Sequence, residues 1–258
     1  MLDVLRTRLK QKYRTMPYPD GPPPELPARF AGRPLLAAGA CMPGCRDCTA
    51  VCPTGALQAG PEGVSLDTGS CLFCRACEPA CGRRVITFSH EYRLAAGRRE
   101  ELVVAAGMER RPAVRHALAS RLFKRSLKLR QVSAGGCNAC EADANVLGTL
   151  AWDMGRFGIQ FVASPRHADG LLITGPVSRN MRLALEKTYE AVPDPKVVIA
   201  VGACAVSGGC YAGHPEQCDG AAGVVPVDLF IPGCPPHPLT ILDGLLRFIG
   251  RIDDPETP

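Results

Sequence analysis

The sequence predicts an α/β protein in two parts. A parallel sheet with helices on both faces is expected over residues 126–250, and a small α+β unit rich in cysteine before it. Two observations carry the prediction. From Leu127 onward, short apolar β-type runs alternate with helical patterns, and that alternation builds a parallel sheet covered on both sides. Between residues 41 and 81, eight of the fourteen cysteines fall in two tight runs with short strand-like segments around them. A chain of 258 residues is long enough for about two cores.

Residues 1–40 read as an extended, proline-rich docking segment. Residues 2–14 suit a helix with Leu2, Leu5, Leu9 and Tyr13 loosely on one face and Arg6, Arg8, Lys10 and Lys12 around it. That pattern fits either a docking or membrane-surface helix or a solvated tail. The run PYPDGPPPELP follows. Its prolines remove backbone donors and fix φ, which predicts an extended strap. The charged start MLDVLRTRLKQKYRT does not read as a secretory leader. The cysteines sit in metal-type clusters, which points to a reducing compartment and not to a disulfide scaffold. No run of about 18 apolar residues exists to span a membrane.

Residues 41–93 carry the two cysteine runs. Cys41, Cys45, Cys48 and Cys52 come first, and Cys71, Cys74, Cys77 and Cys81 second. The second run has the C-x2-C-x2-C-x3-C spacing of bacterial ferredoxins, in which the fourth thiolate of each run reaches the other cluster. Cys41, Cys45, Cys48 and Cys81 are therefore expected to hold one [4Fe–4S] cluster, and Cys71, Cys74, Cys77 and Cys52 the other. CPTGAL, VSLDT and RRVITFS supply short strands flanking the cluster loops. The stretch resembles two-cluster bacterial ferredoxins, with two departures. Three residues separate Cys41 from Cys45, absorbed in the turn Met42-Pro43-Gly44, and Gly82 instead of proline follows Cys81. The competing reading is a pair of four-cysteine zinc sites in a zinc-stabilised binding protein.

Residues 94–125 read as a basic linker. Glu100, Glu101 and Leu102 to Ala106 suit a short strand or helix. Arg110 to Arg130 holds eight Lys/Arg and no acid, with Val114, Leu118 and Leu122 at helical spacing. A basic helix there fits an acidic partner, lipid headgroups or plain solvent. Phe123 is its one aromatic, a poor basis for stacking on nucleic acid, and no nucleic-acid partner is expected. The net charge of +5 adds little in that direction.

In residues 126–250, strands are expected at Leu127–Val132, Ile159–Ala163, Leu171–Thr174, Lys196–Val201 and Val225–Ile231. Helices are expected over Asp143–Phe157, over Asn180–Ala191 after a Ser178 cap, and over Leu239–Ile249. Residues 251–258 form a tail. Ligands of open parallel sheets collect beyond the carboxyl ends of the strands. Cys137, Cys204 and Cys234 follow such ends, and Cys140 lies just inside the next helix, so three loops can bring four thiols to one cluster. Gly135, Gly136, Gly202 and Gly233 let these loops turn sharply. Cys210 and Cys218 read as non-ligating cysteines, and His214 and His237 as loop or packing residues.

Four motifs, GGCNACEAD, SPRHADGLLITGPVSRNM, VIAVGACAVSGG and IPGCPPHP, resemble the small subunit shared by respiratory complex I and membrane-bound energy-converting [NiFe] hydrogenases, including the formate hydrogenlyase type. The spaced pair Cys137-x-x-Cys140 resembles the hydrogenase branch. The resemblance implies a flavodoxin-like C-terminal domain whose Cys137, Cys140, Cys204 and Cys234 bind a proximal [4Fe–4S] cluster. With the ferredoxin-like part that makes three clusters in one electron-transfer subunit, itself without nickel ligands. It implies partners: a hydrogenase-type large subunit, membrane-embedded complex I-like subunits, and further iron–sulfur or ferredoxin donors. It places the chain peripherally on the cytoplasmic side of the cell membrane. It also implies proton-relay candidates. Asp143 stands where the family usually has a glutamate, and Glu141 is the second candidate. Within the superfamily the alternative is a nickel-free relative coupled to a quinone or another carrier.

Overall fold

The computed structural model describes residues 2–12, 14–39, 41–42, 44–60, 63–108, 113–114 and 116–253. Of the residues named above, Tyr13, Pro43, Arg110 and the end of the tail lie outside them.

The chain opens with helix α1, Leu2–Gln11, which buries none of its side chains. The proline-rich strap then lies along the C-terminal domain. Met16 N–H donates to the Ala151 carbonyl at 3.0 Å. The Arg156 guanidinium donates to the carbonyls of Met16 and Tyr18 at 2.8 and 2.6 Å. The buried Tyr18 hydroxyl donates to Asp243 Oδ1 at 2.6 Å.

The cysteine-rich unit holds β1 (Pro34–Leu36), α2 (Asp47–Ala50), β2 (Leu57–Gly60), β3 (Gly63–Asp67), α3 (Cys77–Ala80), β4 (Ile86–Phe88) and β5 (Val103–Ala105). Strand β1 pairs antiparallel with β4, and β2–β3–β5 form a second antiparallel sheet. The boundaries expected at 40/41 and 93/94 thus cut through strand pairs. The unit takes β1 from the stretch read as a strap and β5 from the stretch read as a linker. Its core joins Leu57, Leu66, Val85, Ile86 and Phe88 to the buried thiols Cys48, Cys71 and Cys77.

The basic helix shrinks to α4, Ala117–Leu122. Leu118 and Leu122 point outward, while Ala119 and Phe123 are buried. The ring of His116 sets this register. Its Nδ1 accepts the Ala119 N–H at 3.3 Å, and it stacks on Phe248.

The C-terminal domain runs β6 (Leu127–Ser133), α5 (Ala139–Val146), β7 (Ile159–Phe161), β8 (Gly170–Thr174), α6 (Arg179–Ala191), β9 (Val197–Val201), α7 (Ala203–Ser207), β10 (Leu229–Ile231) and α8 (Pro238–Phe248). All pairs are parallel, in the order β10-β9-β8-β6-β7. Numbered from β6, that is the 2-1-3-4-5 order of the flavodoxin-like fold. Side chains alternate between faces. Val197, Ile199 and Val201 join α5 and α8 in one core, and Val198 and Ala200 join α6 and α7 in the other. Burial on both faces explains the unbroken apolar runs of β8 and β9.

Two helix expectations change. The helix expected over Asp143–Phe157 starts at Ala139 and stops at Val146, where turn bonds such as Gly148 N–H to the Asn145 carbonyl end it. Ser178 precedes α6 as expected, but its hydroxyl makes no capping bond. The last strand begins at Leu229, three residues past Pro226, which has no N–H to give a ladder. No helix among the described residues is long and apolar enough to cross a membrane.

Candidate metal-cluster sites

Three groups of four thiols emerge from this scaffold. Cys41, Cys45, Cys48 and Cys81 line one hollow in the cysteine-rich unit. Cys52, Cys71, Cys74 and Cys77 line a second, walled by Leu57, Leu66 and Phe88. The exchange of Cys52 and Cys81 between the runs follows from the packing of α2 against α3. The third group gathers at the carboxyl edge of the parallel sheet. Cys137 follows β6, Cys140 starts α5, Cys204 follows β9 and Cys234 follows β10.

The thiols act on one another electrically. Burial pushes Cys140 up to about 12, and Cys204, Glu141, Cys234 and Cys137 add to it. Burial likewise pushes Cys204 up to about 12, reinforced by Cys234, Cys210 and Cys137. In the second group, burial raises Cys71 to about 12 and Cys77 to about 11, again with neighbouring thiols adding. Thiols crowded this way resist becoming anions unless a cationic guest sits among them. Cys52 goes the other way. Burial raises it, but bonds from Thr54 and the Ala56 and Leu57 backbone outweigh that and lower it. Backbone N–H groups of Phe73 and Val85 also point at Cys71 Sγ and Cys81 Sγ, each at 3.3 Å. Among the described residues no three Cys, His, Asp or Glu side chains converge tightly enough for a single metal ion. Each cysteine group in the first unit lines a hollow.

The glycine at the proximal group is a matter of space. A Cβ on Gly202, at φ +90°, would stand 2.5 Å from Cys140 Sγ. Only a residue without a side chain lets β9 end against that thiol.

The groups are neighbours. Cys48 of the first group and Cys71 and Cys77 of the second share one core. Ser207 Oγ, after Cys204, donates to the Gly69 carbonyl just before Cys71 at 3.1 Å. The loop of Leu72 and Phe73 faces the loop of Pro232 to His237 across a cavity of about 380 Å³.

The two carboxylates differ in setting. Glu141 is buried, and its Oε1 accepts from Ser133 Oγ at 2.5 Å and Thr174 Oγ1 at 2.7 Å. It therefore ties α5 to the ends of β6 and β8. Asp143 lines the 380 Å³ cavity with Cys234 and His237, and burial raises its carboxyl above the usual range. His237 Nδ1 accepts the Leu239 N–H at 3.1 Å, and its ring meets Phe30 and Trp152 edge-on. His214 stays in its loop, accepting the Glu216 N–H at 3.2 Å. Cys218 packs against the second core of the sheet. Cys210 is the surprise. The turn at Gly208 and Gly209 folds back on Cys204, and Cys210 acts electrically on both Cys204 and Cys234. Sequence reasoning also missed Ser133 and Thr174, because a hydroxyl at a strand end carries no motif.

The fold and the site define a class: a doubly wound α/β protein with four thiols at the ligand-binding edge of its sheet. The chain belongs to the family of the 20 kDa subunit of NADH–ubiquinone oxidoreductase, whose family model matches residues 137–248. It is 44% identical over 133 residues to formate hydrogenlyase subunit 7 of Escherichia coli, covering 51% of each chain. It is 41% identical over 121 residues to the probable membrane-bound hydrogenase subunit mbhJ of Pyrococcus furiosus, covering 47% of this chain and 72% of that one. It is 39% identical over 123 residues to an NADH-quinone oxidoreductase subunit of Heliobacterium modesticaldum, covering 47% of this chain and 70% of that one. The chain thus spans about half the length of the formate hydrogenlyase subunit.

Proposed function

We propose that this chain is an electron-transfer subunit of a membrane-associated, hydrogenase- or complex I-type oxidoreductase, with one [4Fe–4S] cluster held by each group of four thiols. The observation that carries the reading is the placement of the groups: Cys48 and Cys77 share one core, and the Leu72–Phe73 loop of the second run lines the same cavity as Cys234. When bound, the clusters supply one-electron relay without bond chemistry of their own. The residues do the rest. Twelve cysteines hold and space the relay sites, N–H groups of Phe73 and Val85 favour charge on sulfur, and Gly202 makes room for Cys140. The exposed Cys137 and Cys234 mark the face toward a hydrogenase-type large subunit. Asp143, on the cavity beside Cys234, is the better-placed proton-relay candidate, and Glu141 is a clamp.

The similarity to a probable membrane-bound hydrogenase subunit supports a peripheral position at the membrane; the same reading puts the chain on the cytoplasmic side, beside complex I-like membrane subunits. The test is the native complex, isolated anaerobically through a tag on this chain. About one nickel per complex with hydrogen turnover, lost in Cys137→Ser, is expected. An intact large subunit without nickel makes the complex a quinone- or carrier-linked relative. Full throughput in Cys137→Ser removes the proximal group from the wire.

A further inference from the structure

Among the described residues, helix α1 leaves all of its apolar side chains exposed. Leu2, Leu5 and Leu9 are 80%, 56% and 78% exposed, and no residue of the helix is buried. At about 100° per residue these three leucines fall on one narrow stripe. Arg6 and Lys10 border it on one side and Arg8 on the other, with Lys12 just past the helix end. Residues 2–14 hold five cations, Arg14 included, against the single acid Asp3. The helix is joined to the body by the strap, which is fastened where Thr15 Oγ1 donates to the Leu150 carbonyl at 2.9 Å. At that anchor the body shows another bare apolar side chain, Leu150, 70% exposed.

We infer that α1 lies in the headgroup layer of an anionic lipid bilayer, with Leu2, Leu5 and Leu9 immersed and the flanking cations on lipid phosphates. Charge decides for lipid over a protein groove. Cations on both edges of a leucine stripe run their stems along the apolar layer and meet anions at the surface. A protein groove would need acidic lips on both sides of a three-leucine slot. The basic flank adds attraction to anionic leaflets that falls off within a Debye length. A single short helix of this kind gives reversible attachment. The inference deepens the peripheral-membrane part of the proposed function and rests on it, but not on the cluster assignments.

The test uses the full chain, purified anaerobically, with sedimenting vesicles of phosphatidylcholine alone or mixed with phosphatidylglycerol. The wild type is expected to pellet with the anionic vesicles, weakly with the neutral ones, and less at high salt. Leu5→Glu/Leu9→Glu is expected to lose about tenfold or more of that binding, and Arg6→Glu/Lys10→Glu to lose the preference for anionic lipid. Both sites are exposed, so iron content is expected to stay at the wild-type level. That readout separates this inference from the cluster reading. No pelleting by the wild type, pelleting restored only by a partner protein, or equal pelleting of Leu5→Glu/Leu9→Glu overturns the inference.

Discussion

Thr174 Oγ1, at the carboxyl end of β8, donates a 2.7 Å hydrogen bond to the buried Oε1 of Glu141, one residue past the second thiol of the Cys137/Cys140 pair. With Ser133, this bond fixes the start of α5 against two strand ends. Thr174→Val removes a donor and leaves a buried carboxylate short of a partner, at a cost of about 1–3 kcal/mol. Chemical unfolding of the C-terminal domain should show that loss. Thr174→Ser, which keeps the hydroxyl, should recover most of it.

Gly202 is a second constraint on the same thiol. Gly202→Ala places a methyl where Cys140 Sγ stands and puts a side chain at φ +90°. The expected result is loss of the proximal cluster, about four irons per chain, with the other two retained. Iron analysis with low-temperature electron paramagnetic resonance reads it directly.

The strap is held by a buried polar set. Tyr18 donates to Asp243, which also pairs with Arg247 at 3.0 Å inside the same helix. Tyr18→Phe takes away this one of the strap's side-chain bonds and leaves the Asp243–Arg247 pair in place. A loss of about 1–2 kcal/mol is expected, together with faster proteolysis between residues 14 and 33.

Acid should loosen the loop that carries the second cysteine run. Burial opposes the charge on Asp67, but bonds from Arg99, Ser70 and the Gly69 N–H outweigh burial and hold its carboxyl below the usual range. A carboxyl depressed in the fold contributes stability above its unfolded value, about 4, and loses it as pH falls through the folded value. Wild-type stability should therefore fall more steeply below about pH 4 than that of Asp67→Asn. The variant should also be less stable at neutral pH.

The sheet was legible because its strands are buried on both faces. Val197–Val201 and Gly170–Thr174 leave no polar alternation to mislead. The grouping of the first eight cysteines follows the spacing of their two runs, and the gathering of the other four follows from loops that leave the sheet's carboxyl edge. What stayed hidden was non-local. Nothing in Pro34–Leu36 or Val103–Ala105 announces that they complete the small unit's sheets. Leu118 and Leu122 have helical spacing yet face outward, because His116 and Phe248 set the helix differently. Cys210 lies six residues beyond Cys204, and only the Gly208–Gly209 turn returns it to the proximal group.

The central claim is a wire of three clusters in one chain, and metal content tests it most directly. The full chain, isolated anaerobically, should carry about twelve irons and as many acid-labile sulfides, four of each per cluster. Cys74→Ser and Cys137→Ser should each disturb a different cluster, and Cys210→Ser and Cys218→Ser should keep the full count. Zinc in place of iron, or a full iron count surviving Cys137→Ser and Cys74→Ser, would contradict it.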